Sequence, residues 1–566
     1  MSSKNGKLNG QSFDLSQAEL KKLLKKVPSG IKTYIGYLEQ QIKNMAKIGL
    51  SLSKEKDMNV LLENILLEAK RITNADGGTL YMKTDDDRLR FEIMMTDSLN
   101  FHMGGTSGKD IPFYPVKLYD EGKPNTHMIS AYVGLTGETV NIPDAYKTKG
   151  FDFSGTKAFD KKTGYRSKSF LTVPLKNHEE EIIGVLQLLN ALDKKTNESI
   201  PFSAKIQDIV EALSSQAAVA ITNKNLIRDL EILFESFIKL IATAIDAKSS
   251  YTGGHCARVP EITMMLVEAV NVSKDGPFKD VHFSDKEMYE LKIAAWLHDC
   301  GKVTTPEYVV DKATKLETIY DRIHTLDTRF EVLKRDEEIK VLKKRLKIET
   351  DVFASEADKK DALKSLRKKH KDKLVKMEKE MDFIRATNIG GEFMSGDKKD
   401  RVKKIAKYRW KDNGTVKDFL SENEVYNLCI TKGTLTAEER QIINDHIVQT
   451  IDMLQQLPYP KHLKNVPEFA GGHHEKLDGT GYPKGLTKDE MSVQAKAMAI
   501  ADIFEALTAK DRPYKEGKAL SMAMRILGFM KNDAHVDPEL FELFVQEKIY
   551  LKYGEQYLGP EQLDMD

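Results

Sequence analysis

The chain has 566 residues, 40% of them hydrophobic and 31% charged, with a net charge of +1. That length leaves room for several domains, and the near-neutral balance gives no reason to expect a DNA- or RNA-binding surface or an acidic-lipid anchor. The polar start MSSKNGKLNGQ, the lack of a long apolar run and the sparse, odd set Cys256, Cys300 and Cys429 lead us to expect no secretory signal, no membrane span and a reducing cytoplasmic setting.

Residues 1–35, polar and broken by Pro28 and Gly30, read as a partly ordered leader. Helical spacing then runs from Tyr34 to Leu50 and again from Met58 to Thr73, the second with Leu61, Leu62, Ile65, Leu66 and Ala69 on its buried side. After Asn74, GTLYMK and LRFEIMM read as strands around DDDRL. SAYVGLTGETVNIPDAY reads as a helix, a glycine turn and a strand. SFLTVPLKN and EIIGVLQLLNA read as a hairpin of buried strands, and helix returns from Phe202 to Thr222.

This order, with the phrases VGLTGETVNIPDAY, TGYRSKSFLTVPLKN and IIGVLQLLN, resembles a GAF domain over residues 36–225. The resemblance is to GAF domains that bind cyclic nucleotides. Asn190 and Phe202 match that pattern, but Ala191 stands where the subfamily has lysine and no clear acidic pair follows. A cyclic-nucleotide sensor and a domain used only for dimerisation therefore both stay open.

Between Ile206 and Lys248 the chain contains almost no helix breaker. Leu226, Leu230, Leu233, Phe237 and Ile241 form one apolar stripe; Ile227, Phe234, Ile238 and Ile245 form a second. Two stripes on one helix suggest the following domain on one side and a second copy of the chain on the other, making a homodimer. Residues 313–420 are a charged intrusion. Leu363, Leu366, His370, Leu374, Met377, Met381 and Ile384 follow a near-heptad rhythm there, which predicts a coiled-coil hairpin of two antiparallel helices. Its lysines read as a solvated face, with a docking surface for a protein partner as the second reading.

The chemistry lies further on. His255, the adjacent His298–Asp299, His446 or His324, the pair His473–His474, and Asp502 offer imidazole nitrogens and carboxylate oxygens without thiolates. Such a set suits iron, manganese, cobalt or zinc better than calcium or magnesium. An adjacent His-Asp pair can serve two ions, the carboxylate bridging them, and two ions about 3.5–4 Å apart can clamp a phosphodiester.

HDCGK, HHEKLDGTGYP, the Asp502 helix and DRPY occur in the order typical of the HD-GYP family, which this chain resembles over roughly residues 226–550. The resemblance implies a multidomain protein: an α+β GAF domain followed by an all-α HD-superfamily (HD-GYP) domain with a helical coiled-coil insertion. The HD-GYP part would span 226–312 and 421–550, the insertion 313–420, and 551–566 would be a tail. It implies hydrolysis of cyclic di-GMP to linear pGpG, or onward to GMP, with two divalent ions, iron or manganese. Residue by residue it implies His255, His298, Asp299, His446, His473, His474 and Asp502 as metal ligands, with Asp299 bridging. Lys302 would stabilise charge on the phosphate, and Tyr482, Arg512 and Lys515 would contact substrate.

Two departures follow. Some members carry a Glu four residues before the first His for a third metal; here that position is Tyr251, which favours two ions. The intrusion also duplicates a motif, since KATKLETIYDRIH ends at His324 and KGTLTAEERQIINDH at His446. His446 is favoured because IDMLQQLPYP leads from it into the paired histidines. Cys256 and Cys300 read as small buried side chains, with a thiol that reports metal oxidation as the weaker reading. Against hydrolysis of cyclic di-GMP stand a binding module that senses a cyclic dinucleotide without cleaving it, and a phosphodiesterase for cyclic GMP-AMP.

Overall fold

The computed structural model describes residues 28–248, 253–510 and 517–565. The chain divides into two compact units, Met1–Ile232 and Leu233–Asp566.

In the first unit the helix Ser29–Lys54 begins inside the stretch 1–35 expected as a leader, whose residues 1–27 lie outside the described residues, and five residues before the expected helix start at Tyr34. Pro28 precedes it with φ −54° and ψ 146°, so Gly30 falls in the first turn, where a weak helix former is tolerated. The helix Met58–Thr73 is capped by Asp57, whose carboxylate accepts from Val60 N, and it ends at Asn74 in the left-handed region. It buries the five residues its periodicity named.

These helices lie on an eight-stranded sheet with the path Phe101–Gly104, Arg88–Thr96, Ala75–Lys83, Ile182–Leu192, Phe170–Lys176, Val140–Ile142. The pairs along it are antiparallel, with Ala75 opposite Ala191 and Phe170 opposite Leu189. Alternation sorts the central strand: Leu186 and Leu188 face the helices, while Val185 and Leu189 face a second core holding Tyr81, Leu89 and Phe153. The predicted helix, glycine turn and strand are Ile129–Thr136, left-handed Gly137 and Val140–Ile142. The helix Ser154–Thr163 was not anticipated; it is short, lysine-rich and buries only Asp160 along its length.

The second unit is a helical bundle. The helices His255–Val272, Asp285–Leu297, Val493–Thr508, Leu520–Asn532, Pro538–Gln546 and Ile549–Tyr557 share one core. The end of the helix Ala204–Lys248 joins it through Ile238, Ala242 and Ile245. The stretch expected as a tail, 551–566, belongs to this core over its described residues 551–565: Tyr553 is fully buried and Gln562 Nε2 donates to the carbonyls of Thr508 (2.8 Å) and Lys518 (2.9 Å). The sequence reading stopped at residue 550 because Tyr553 and Gln562 carry polar groups that hide an apolar anchor.

The intrusion contains the predicted helix pair, Ile323–Glu349 and Glu356–Asn388, with Met377, Met381 and Ile384 buried. It is more than a hairpin. A helix Gly396–Ala406 and a two-stranded ribbon, Arg409–Asp412 with Thr415–Asp418, complete a separate core running from Leu316 to Leu428, past the expected end at 420. At its base buried Lys312 pairs with Glu439 (2.7 Å) and donates to Asn427 (3.0 Å), and Thr434 Oγ1 donates to the Lys312 carbonyl (3.0 Å). The two motif copies read from sequence are thus the two edges of one structure that the insertion separates.

Candidate metal centre

His298 and Asp299 follow the helix Asp285–Leu297, His446 opens the helix His446–Gln455, and His473 and His474 follow Val466–Gly471. The turn after Asp299 runs against the helix at His446. A Cβ on Gly301 would lie 1.9 Å from the His446 carbonyl oxygen, so the glycine of HDCGK is required by this crossing. Gly301 N donates to Thr450 Oγ1 (2.9 Å), which fixes the crossing. In the HHEKLDGTGYP segment, buried Glu475 accepts from Lys484 N (2.7 Å) and Leu486 N (2.9 Å) and folds the loop back. A Cβ on Gly481 would lie 2.3 Å from Lys476 N, so that loop also needs its glycine.

The imidazoles are oriented by a repeated device. Nδ1 of His298 lies 2.8 Å from the Ala295 carbonyl and Nδ1 of His473 lies 2.7 Å from that of Ala470, while Nδ1 of His446 meets the Ile443 carbonyl. A carbonyl can only accept, so each Nδ1 carries the proton and each Nε2 presents a lone pair. Nδ1 of His255 bonds to the fully buried Glu505, which also accepts from Arg258 Nε (2.7 Å).

The Nε2 atoms converge on Asp299. Its Oδ2 is 3.3 Å from His255 Nε2 and 3.2 Å from His298 Nε2; its Oδ1 is 3.2 Å from His446 Nε2. Asp502 Oδ1 is 3.1 Å from His255 Nε2. Two groups result, His255–His298–Asp502 and Asp299–His446–His473–His474, each with ligand atoms within 4.8 Å of one another. Asp299 Oδ1 and His473 Nε2 are buried and make no hydrogen bond. Buried lone pairs aimed at one another are relieved by a cation, so the donor set fits divalent metal ions.

Charge follows the same division. Burial opposes ionisation of Asp299, but Lys302, His298 and His255 outweigh it and hold the carboxyl well below its usual range. Burial opposes charge on His255 too, yet Glu505, Asp299 and Asp502 raise its pKa well above the ordinary value. Burial and neighbouring His298 push His473 down to about 4, and burial with His473 lowers His474, so both are neutral imidazoles at neutral pH. Lys302 Nζ pairs with Asp299 Oδ2. Tyr482 stacks on His474, ring centroids 4.9 Å apart.

His324 is exposed on the insertion, away from both groups, and His446 takes the place in the cluster. Arg512, Lys515 and Tyr251 lie outside the described residues. Cys256 and Cys300 are buried, and burial pushes the Cys300 thiol up to about 11, as for a small core side chain. The sequence reading left out Glu505 and Arg258, although each lies three residues beyond a named ligand on the same helix and so on its face.

In the first unit a cavity of about 340 Å³ is lined by aromatic and methionine side chains such as Tyr81, Phe91, Phe113 and Met128, with threonine, serine and Gln187 side chains as further polar groups and no charged residue. Asn190, matched to a cyclic-nucleotide pattern, is used within the fold. Its Oδ1 accepts from Lys168 N (2.7 Å) and Ser169 N (3.2 Å), and its Nδ2 donates to Tyr165 Oη (2.8 Å) and the Arg166 carbonyl (2.9 Å).

Among curated proteins, the chain is 39% identical over 120 residues to a 3'3'-cGAMP-specific phosphodiesterase of Vibrio cholerae, covering 21% of this chain and 25% of that protein. It is 42% identical over 114 residues to a cyclic di-GMP phosphodiesterase of Pseudomonas aeruginosa (20% and 26%), and 34% identical over 119 residues to one of Thermotoga maritima (21% and 32%). The chain thus spans between a quarter and a third of the length of these relatives. Among solved structures, the GAF domain of an Acinetobacter phosphoenolpyruvate-protein phosphotransferase matches with 16% identity and a TM-score of 0.25, covering 34% of this chain and 98% of that one. Family models match residues 57–221 and 423–540, so the chain contains a GAF domain followed by an HD domain.

Proposed function

We propose that the chain hydrolyses a cyclic dinucleotide, cyclic di-GMP to linear pGpG, at a centre for two divalent ions, iron or manganese. The observation that carries this is the sharing of Asp299: one carboxylate oxygen faces His255 and His298 and the other faces His446. Asp502 completes the first group and His473–His474 the second. Divalent cations held by these residues would supply Lewis acidity toward a phosphodiester. The protein's own part is orientation and charge. The carbonyls of Ala295, Ile443 and Ala470 hold the ligand tautomers, and the Lys302 ammonium neutralises charge developing on the phosphate. Tyr482 offers an aromatic face to the substrate, and Arg512 and Lys515 hold a phosphate or a guanine edge. The relatives' names support both cyclic di-GMP and 3'3'-cGAMP as substrate classes. Incubating the metal-loaded protein with each and identifying products by mass decides between them. Linear pGpG is the expected product, and recovery of both substrates intact overturns the reading.

Two parts of the reading concern regulation. The uncharged lining of the GAF-domain cavity favours a small neutral ring-bearing ligand over a cyclic nucleotide. Strong thermal stabilisation by cyclic AMP or cyclic GMP would contradict that. The stripe Leu226, Leu230, Leu233 and Phe237 is at least half exposed, whereas Ile238 and Ile245 are buried. Its spacing of four, three and four residues is that of a coiled-coil seam, which a second copy of the chain would cover in a parallel homodimer.

A further inference from the structure

The helix Ala204–Lys248 ends beside two segments that carry the metal centre. Its last residue, Lys248, extends Nζ to the carbonyls of Lys302 (3.3 Å), Val303 and Thr305 (2.7 Å). These carbonyls close the short 3₁₀ helix Cys300–Thr304, which contains Lys302 and directly follows His298–Asp299. Two residues earlier, buried Asp246 accepts from Cys256 N (3.2 Å) in the first turn of the helix that His255 opens. The carbonyls at the end of a helix carry partial negative charge and the first amides are the reverse; the Lys302 carbonyl also accepts from Thr305 N (3.1 Å). An ammonium on the one and a carboxylate on the other is therefore the stabilising arrangement, and both come from one helix turn.

We propose that Lys248 is a positioning residue for Lys302. By tying down three carbonyls of one turn, those of Lys302, Val303 and Thr305, it fixes the backbone from which the Lys302 side chain reaches Asp299 and, on the functional reading above, the phosphate. The inference rests on that reading for its catalytic consequence, though not for the geometry. It also makes the last turn of the helix Ala204–Lys248 the point at which a shift of that helix reaches the reacting lysine. Charge-assisted hydrogen bonds of this kind are about twice as strong as neutral ones. Lys302 itself has a flexible stem and depends on its backbone for aim.

The test is a double-mutant cycle on the full metal-loaded chain with K248M, K302A and the pair, read by kcat, KM and metal content on cyclic di-GMP, together with hydrogen exchange of the 300–305 amides. K248M should lower kcat about tenfold or more with KM and metal content unchanged. K248R should restore most of the rate, and K248M should cost nothing further in the K302A background. Exchange at Val303–Thr305 should rise in K248M. Equal losses from K248M in both backgrounds, or wild-type kcat in K248M, would overturn the proposal. If K248M does not fold, K248Q replaces it with the same outcomes. A wild-type protein that cleaves no cyclic dinucleotide would remove the functional reading alone. Hydrogen exchange would then decide the positioning role, and unchanged exchange in K248M would end it.

Discussion

The base of the helical insertion and the histidine cluster both bury polar groups, and they do so in opposite ways. At the base, Lys312 meets Glu439 and Asn427, and Lys315 Nζ donates to the carbonyls of Leu428 (3.2 Å) and Ile430 (2.9 Å). Asn388 accepts from Leu316 N (2.8 Å) and donates to Asp321 (2.8 Å). Each of these groups is satisfied by the chain itself. In the cluster, Asp299 Oδ1 and His473 Nε2 make no hydrogen bond, and imidazole nitrogens approach to 3.3 Å in the pairs His255–His298 and His446–His474. Leaving a buried polar group unpaired costs about 1–3 kcal/mol. The base is satisfied by the chain itself, whereas the cluster gathers several imidazole and carboxylate lone pairs in one place, as a ligand set for a cation does.

The contrast can be broken most severely at Asp299. Asp299→Ala should abolish hydrolysis and remove most bound metal, because the carboxylate faces both ligand groups. Metal analysis with an activity assay checks this. His446→Ala should lower metal content and activity together, while exposed His324→Ala leaves both unchanged; the reverse would return the insertion's edges to question. Lys302→Ala should keep its metal and lose on the order of a hundredfold in kcat, since an ammonium has no lone pair for a metal. At the base, Lys312→Met should leave metal content intact but destabilise the second unit by about 3 kcal/mol in denaturant titration, the cost of stranding Glu439. The smallest effect on chemistry should come from Leu230→Glu with Phe237→Glu, which should yield a monomer by sedimentation without stripping the metal centre.

The same contrast explains what sequence could show. Apolar periodicity placed the helix Met58–Thr73 and the strands of the sheet because one face of each is buried. Residue type, together with the resemblance to HD-GYP proteins, named all seven residues that the fold gathers into the two ligand groups, with His446 preferred to His324 by its distance from the paired histidines. Those residue types are costly to bury without a ligand, so their order in the chain carries the chemistry. The supporting groups were silent. Glu505, Arg258, Asp246 and Lys248 are ordinary helix-surface types in a chain that is 31% charged, and only the fold turns them inward. The insertion's true edges were hidden for a related reason. Lys312 and Glu439 look like parts of two motifs until their ion pair joins them across 127 residues.

The most direct measurement is the number of metal ions per chain in the wild-type protein and in Asp299→Ala, taken alongside hydrolysis of cyclic di-GMP. Two ions per chain with conversion to pGpG in the wild type, and fewer than one ion with no conversion in the variant, is the expected result. Near-normal metal loading and turnover in Asp299→Ala would contradict a shared two-ion centre.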